Sequence, residues 1–286
     1  MTAALSVVIP TRDRPQVLQT TLARIDDGGP EDLSLQVVVV DDGSSVPVRE
    51  AVGALGPFRY DLVVLRQEPR GPAAARNRGI AAAEAARVLL LGDDTPPVAG
   101  GLEGHTIDDE VGVQGFLDWS PELERTPVMR FLAPAGPQFY FSGLAEGGPV
   151  PWTGVLGSNL SAPARWFREE PFDERFEDAC LEDTELAWRW QRRGWRVIFR
   201  RHAACWHHHA YDDLEPFLER QRRAGRWARL ALRLHPAMAW RLVAAPMAFT
   251  PILAVRALVQ QRARWDLRCR RAFVDGLLSG EPHSST

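Results

Sequence analysis

The chain has 286 residues, enough for one large domain or two smaller ones, and its 45% apolar and 25% charged content is ordinary for a globular protein. A formal net charge of −3 gives no reason to expect nucleic acid as the partner. All 34 basic residues are arginine, which excludes a Walker-type lysine and Schiff-base chemistry.

The three cysteines, Cys180, Cys205 and Cys269, are far apart and form no CxxC pair. A disulfide framework or a cysteine-rich zinc site is not expected, and a reducing compartment fits. The opening MTAALSVVIPTRDRP has no signal-peptide pattern, because its apolar run is short and stops at Pro10. The expectation is a cytoplasmic protein, with peripheral contact at the inner face of a membrane left open.

In chain order, LSVVI (5–9) reads as a buried strand, and Pro15 starts a helix with Val17, Leu18, Thr21, Leu22 and Ile25 on one face. LQVVVV (35–40) is continuous in valine rather than alternating, as a strand covered on both faces would be. DDGSS (41–45) supplies turn chemistry, and a weak helix follows near 46–55. YDLVVLR (60–66) is a third strand, 71–87 a proline-started helix, and RVLLL (87–91) a fourth strand. Such alternation predicts a mostly parallel sheet with helices on both faces.

Beyond Pro97 the pattern loosens. VGVQGFLDW (111–119) reads as a strand, 120–150 as an irregular insertion, and 155–163 as a strand and turn. LEDTELAWRWQRRG (181–194) reads as a helix, WRVIFR (195–200) as a strand, and 212 onward as basic helices. The apolar stretch 242–259 is broken by Pro246, Pro251 and Arg256 and falls short of the ~20 residues a span wants. An ordinary packed helix is the leading expectation there, ahead of a membrane-surface contact and well ahead of a span.

In an open parallel sheet, ligands bind beyond the carboxyl ends of the strands. Three polar clusters fall at that rim: Thr11-Arg12, Asp41-Asp42 and Asp93-Asp94. No GxGxxG follows the first strand, which argues against a nicotinamide dinucleotide. Oxygen ligands of the Asp93-Asp94 kind suit Mg²⁺ or Mn²⁺.

SVVIPTRDRPQVLQTTLARI, VVVVDDGSS, RGPAAARNRGI, LLLGDDTPP, GSNLSAP and FDERFEDACLEDTELAWRWQRRGWRV follow in an order that resembles the family 2 glycosyltransferases of the GT-A fold. The resemblance implies a Rossmann-like α/β domain over 1–211, with a nucleotide-binding half (1–97) and an acceptor half (98–211), and a helical extension over 212–286. It implies metal-dependent, inverting transfer of a sugar from a UDP, GDP or dTDP donor to a glycan, lipid-linked or small-molecule acceptor, as in cell-envelope or natural-product glycosylation.

By that resemblance Pro10, Thr11 and Arg12 line the nucleotide, Asp42 meets the base with Asp41 beside it, and Arg76 and Asn77 lie near the diphosphate. Asp93 and Asp94 match the DxD-type motif, with Asp94 the better metal ligand, although Gly92 stands where many relatives carry another acid. Glu182-Asp183 resembles the ED motif, whose aspartate serves as general base; acids in a first helical turn are also favoured by the macrodipole alone. In CWHHHAYDD (205–213), His207 is the candidate second ligand. Trp119, Trp152 and Trp166 are candidates either for stacking on a sugar or for the core. The C-terminal arginines read first as solvated helix faces, and second as a basic surface for anionic lipid. The alternative is a nucleotide-sugar-binding protein of the same fold with impaired chemistry. A nucleotidyltransferase would normally want a glycine-rich loop where this chain has PTRDRP.

Overall fold

The computed structural model describes residues 3–29, 33–53, 55–107 and 110–280. These form two compact units, one of Met1–Glu124 with Phe139–His209, the other of Arg125–Gln138 with Ala210–Thr286.

The first unit is built on a seven-stranded sheet of order β3-β2-β1-β4-β6-β5-β7. Its strands are β1 (Leu5–Thr11), β2 (Leu35–Asp42), β3 (Asp61–Gln67), β4 (Arg87–Leu91), β5 (Gly112–Trp119), β6 (Asn159–Pro163) and β7 (Val197–His207). β1, β2, β3 and β4 run parallel, as the alternating pattern predicts. β6 runs antiparallel to both its neighbours, and β5 and β7 are parallel again. The valines of β2 and the leucines of β4 are fully buried, as expected of strands covered on both faces. The β1–β4 ladder stops at Val8, so Pro10 lies where β1 needs no amide for that neighbour.

Helices α1 (Pro15–Gly28), α2 (Val48–Gly53) and α3 (Gly71–Ala82) link the first four strands. α1 buries Leu18, Thr21, Leu22 and Ile25, the face its periodicity marks. α3 stops at Ala82, five residues before the expected end. Its alanine-rich pattern is local, whereas the cause is not: the amides of Glu84 and Ala85 leave the helix to donate to Gln36 Oε1 and Ser6 Oγ, both at 3.0 Å. β7 is longer than the expected 195–200. A register shift between Gly115 and Leu117 lets Cys205, Trp206 and His207 pair with Leu117, Asp118 and Trp119.

The second unit is helical. Within the segment expected to be irregular lies α4 (Pro127–Leu132), capped by Thr126 Oγ1, which accepts from the Met129 amide at 3.1 Å. Two helices of the first unit, α5 (Ala164–Glu169) and α6 (Glu182–Arg192), follow in the chain. The second unit continues with α7 (Glu215–Leu234), α8 (Ala245–Ala248), α9 (Thr250–Ala257) and α10 (Gln261–Leu278). α7 and α10 pack closely: a Cβ on Gly225 would stand 2.0 Å from Phe273 O, and one on Gly276 2.0 Å from Arg222 O. Phe131 of α4 meets Trp265 of α10 at 5.4 Å between ring centres. The expectation of an ordinary packed helix over 242–259 fails, since neither α8, α9 nor the π-helical turn Trp240–Ala244 contains a buried residue. Too few core-facing neighbours are available to cover so apolar a run.

Candidate active site

The site lies wholly in the first unit, at the carboxyl ends of β1, β2 and β4. Asp93 and Asp94 follow β4 directly. Thr11 Oγ1, the last side chain of β1, donates to Asp93 Oδ2 at 2.8 Å, and Thr21 Oγ1 of α1 donates to the Asp93 carbonyl at 2.6 Å. The guanidinium of Arg14 forks across both acids, Nη1 to Asp93 Oδ1 at 2.7 Å and Nη2 to Asp94 Oδ2 at 2.8 Å.

Two adjacent carboxylates sharing one cation do not ionise alike. Burial, reinforced by the charge of Asp94, pushes Asp93 up to about 6, against the pull of Arg14 and the Thr11 hydroxyl. Asp94 is also raised by burial, but His207 and Arg14 outweigh this and hold it below the usual carboxylate range. Asp94 therefore ionises first, and Asp93 is the member that takes up a proton as the solution turns mildly acidic, through about pH 6.

His207, on the last residue of β7, brings Nε2 to 3.7 Å from Asp94 Oδ2. Its ring is held edge-on by Trp119 at 5.3 Å and Phe139 at 5.2 Å. The next residue fixes the loop, His208 N donating to the Asp94 carbonyl at 2.9 Å. Of the three consecutive histidines, His207 is the buried one beside Asp94, while the exposed His209, its ring 5.9 Å from that of His207, also helps to lower the Asp94 carboxyl.

Asp183 lies in the first turn of α6, half-buried, following Leu181 in a left-handed conformation (φ 69°). Its Oδ2 accepts from Gly157 N at 2.9 Å and its Oδ1 from Thr184 N at 2.7 Å. Ser158, one residue on from Gly157, accepts through its carbonyl from Gly92 N (3.2 Å) and Thr95 Oγ1 (2.9 Å). The Gly157-Ser158 turn therefore holds the helix bearing Asp183 on one side and the loop bearing Asp94 on the other. A side chain at 157 would crowd this bridge, with a Cβ 3.3 Å from Arg76 Cζ and 3.4 Å from Asp183 Cβ.

Glu182 behaves differently from its neighbour. It is 2% exposed and accepts from Arg76 Nη1 at 2.7 Å, while Arg76 also lies over the Phe172 ring at 5.4 Å. Burial and the charge of Asp183 push its carboxyl up to about 7 despite Arg76. This pair ties α3 to the start of α6 and is positioned to orient Asp183. Asn77, one residue after Arg76, spends its amide on the Phe172 carbonyl (2.9 Å), Glu174 Oε1 (3.0 Å) and the Phe172 amide (3.0 Å).

The β2 acids are equally committed to the backbone. Asp41 accepts from the amides of Ser44 (2.8 Å) and Val48 (3.2 Å) and from Arg66 (2.9 Å), and these outweigh burial to hold its carboxyl below the usual range. Asp42 accepts from Gln67 Nε2 (2.8 Å), Arg70 N (2.9 Å) and Gly71 N (2.8 Å). These bonds shape the loop into α3, where Gly71 has φ 85° and a Cβ would meet Glu177 O at 2.0 Å.

Arg12 is exposed, and its Nε lies 3.8 Å from Asp13 Oδ2, away from the acid pair. The sequence pattern singles out Arg12, but Arg14 is the arginine that reaches the acid pair. Asp13 sits between them at φ 54° and locks its carboxylate onto Ser45, so the chain turns and the two arginines diverge. The second arginine of PTRDRP was the available signal. Trp119 and Trp166 are buried, the latter stacked on Trp195 at 4.8 Å, which leaves Trp152, in a short turn, as the half-buried tryptophan of the three candidates.

Among the described residues no cluster of three or more His, Cys, Asp and Glu could hold a metal ion. Asp94 and His207 together supply one oxygen and one nitrogen. Such a pair fits a divalent cation that completes its shell from substrate phosphate oxygens, not a dedicated all-protein cage.

The mixed seven-stranded sheet flanked by helices, with an acid pair after β4 at its rim, has the GT-A fold of the solved glycosyltransferases it resembles. Residues 6–100 match the family described as Glycosyl transferase family 2, and the chain belongs to the family 2 glycosyltransferases.

Among curated proteins, it is 31% identical over 247 residues to a Pre-mycofactocin glycosyltransferase of Mycobacterium tuberculosis, covering 81% of this chain and 48% of that protein. The chain thus spans about half the length of that relative. Among solved structures, it resembles the mannosyltransferase PcManGT from Pyrobaculum calidifontis in complex with GDP-Man and Mn²⁺, at TM-score 0.66 and 18% identity over 96% of this chain and 86% of that one. It also resembles S. aureus TarS 1–349 in complex with UDP-GlcNAc, at TM-score 0.54 and 16% identity, over 96% and 81% of the two chains.

Proposed function

We propose that the chain transfers a sugar from a nucleoside-diphosphate sugar to an acceptor hydroxyl with inversion at the anomeric carbon. The observation that carries this reading is the Gly157-Ser158 bridge, which ties a half-exposed carboxylate on α6 to the acid loop after β4. In a single displacement, Asp183 accepts the proton of the acceptor hydroxyl as its oxygen bonds to the anomeric carbon. The bond from that carbon to the diphosphate breaks, and the nucleoside diphosphate leaves with the electron pair.

Two backbone amides hold Asp183 in place, and a carboxylate so held presents its remaining lone pairs to solvent. Glu182 and Arg76 act through it, as positioning residues. Thr11, Pro10 and Arg12 border the nucleotide side, while Asp41 and Asp42 build the loops that receive the base. Asp93 anchors the acid loop to β1 and α1, leaving Asp94 and His207 to hold Mn²⁺ or Mg²⁺. When bound, that ion neutralises the departing diphosphate. The resembling structures with GDP-Man and Mn²⁺ and with UDP-GlcNAc support a GDP or UDP donor without choosing between them.

The test is a panel of UDP-, GDP- and dTDP-sugars with Mn²⁺, read as nucleoside diphosphate released by wild type and by Asp183→Asn. Release by wild type and not by the variant supports the transferase. No release by either across the panel favours a binding protein of the same fold.

A further inference from the structure

Pro236–Ala257 is, among the described residues, the stretch long and apolar enough to cross a membrane, with 22 residues and a most apolar 18-residue window of mean hydropathy 1.5. Only 6% of its most apolar window is buried. Trp240, Phe249, Ile252, Val255, Leu258 and Val259 are each more than half exposed. Scattered exposed apolar residues need no explanation, but a contiguous run of this kind does.

The charge along the flanking sequence has one sign. Between Glu219 and Asp266 the chain carries ten arginines and no aspartate or glutamate. Arg241 and Arg256, both exposed, sit within the apolar run itself. Arg264 donates to the carbonyls of Ala257 (2.7 Å) and Leu258 (3.0 Å), closing the end of α9. An exposed apolar run flanked in sequence by cations, with exposed arginines inside it and a tryptophan at one end, matches the interface of an anionic bilayer.

A crossing does not fit. Pro246 and Pro251 divide the run into a π-helical turn, α8 and α9, and the chain then turns at 258–260 and returns as α10 against α9 and α7. α10 carries Arg262, Arg264, Arg268, Arg270 and Arg271, so nothing beyond the run continues into hydrocarbon.

We infer that residues 240–259 form an in-plane anchor that docks the chain on an anionic lipid surface, burying Phe249, Ile252 and Val255 among acyl chains while Arg241 and Arg256 pair with lipid phosphates. This inference stands independently of the transferase reading. It puts the second unit at the surface where a lipid-linked acceptor would be found.

The test is co-sedimentation of the full chain with phosphatidylcholine vesicles, with and without phosphatidylglycerol. The account expects binding to the anionic vesicles that weakens in high salt and on neutral vesicles, and a loss of at least about tenfold in Phe249→Glu/Val255→Glu. Arg241→Gln/Arg256→Gln, which leaves the apolar face intact, should weaken binding on the anionic vesicles alone. Unchanged melting temperatures show that both variants fold; if the first does not, the arginine variant decides. No binding to anionic vesicles, or binding indifferent to both variants, overturns the inference. So does retention in the membrane after an alkaline carbonate wash, which means a span. Self-association lost in Phe249→Glu/Val255→Glu, with no vesicle binding, overturns it in favour of a second copy on this face.

Discussion

Arg14 Nη2 stands 2.8 Å from Asp94 Oδ2, the same oxygen that faces His207 Nε2 at 3.7 Å. A guanidinium thus neutralises the carboxylate that the proposed cation needs. An arginine and a divalent cation cannot share that oxygen cheaply, because charges of +1 and +2 about 4 Å apart repel by about 8 kcal/mol at an effective dielectric of 20.

We predict that Arg14→Ala tightens Mn²⁺ binding by about tenfold, a change of 1.4 kcal/mol. Mn²⁺ titration by electron paramagnetic resonance, with UDP or GDP present, reads this directly. Unchanged or weaker binding in Arg14→Ala means the arginine does not compete for the ion.

The Arg76–Glu182 pair is buried on both sides, and removing Arg76 strands a buried carboxyl that must stay charged without a partner or take up a proton. Arg76→Met should therefore cost about 3–5 kcal/mol in urea unfolding. The double variant Arg76→Met/Glu182→Leu should recover most of that loss, since the stranded carboxylate is gone. If the double variant is no more stable than Arg76→Met, the cost lies in packing against Phe172 and not in the charge.

His105 gives a pH dependence whose sign is opposite to that of the raised acids, Asp93 and Glu182. It is 1% exposed, bonded to Ser161 Oγ at 3.0 Å and Asn159 Oδ1 at 2.9 Å, and burial pushes it down to about 3. The unfolded chain takes up its proton near 6.5 while the folded chain refuses it, so this stability is present above 6.5 and drains away as pH falls toward 3. Glu182, raised from 4.5 to about 7, works the other way: its contribution is present below 4.5 and is lost as pH rises through 7. His105→Gln should remove the acid-side loss, so that its stability relative to wild type improves by about 1.4 kcal/mol per pH unit below 6.5. Urea titrations at a series of pH values measure the slope. Parallel curves for the two proteins would mean His105 is not the group responsible.

Much of the frame was readable before the fold was known. The run of valines in β2, the alternation of β1 to β4 and the face of α1 are local patterns, and burial follows them residue by residue. The rim acids were also readable, because a strand end is a place a pattern can mark.

What escaped was non-local. The divergence of Arg12 and Arg14 depends on a left-handed Asp13 held by Ser45, thirty-two residues away. The end of α3 depends on Ser6 and Gln36. The extension of β7 to His207 depends on a register shift in its pairing with β5. The Gly157-Ser158 bridge joins two motifs far apart in the chain and leaves no mark in either.

Gly92 also becomes intelligible only in three dimensions. A Cβ there would come within 3.1 Å of both Asp94 Oδ1 and Thr95 Oγ1. A further acid at this position would crowd the carboxylate that is meant to hold the ion, unless Asp94 and Thr95 both gave way.

The central claim is that Asp183 is the base of a sugar transfer whose donor is held by a separate part of the rim. The direct measurement is kcat and donor Kd in parallel for wild type and Asp183→Asn, once the panel has supplied a turned-over donor. The account predicts a fall in kcat of about 10²–10⁴ with donor Kd unchanged, since the asparagine keeps an oxygen for the Gly157 amide. Transfer by Asp183→Asn at the wild-type rate would contradict it.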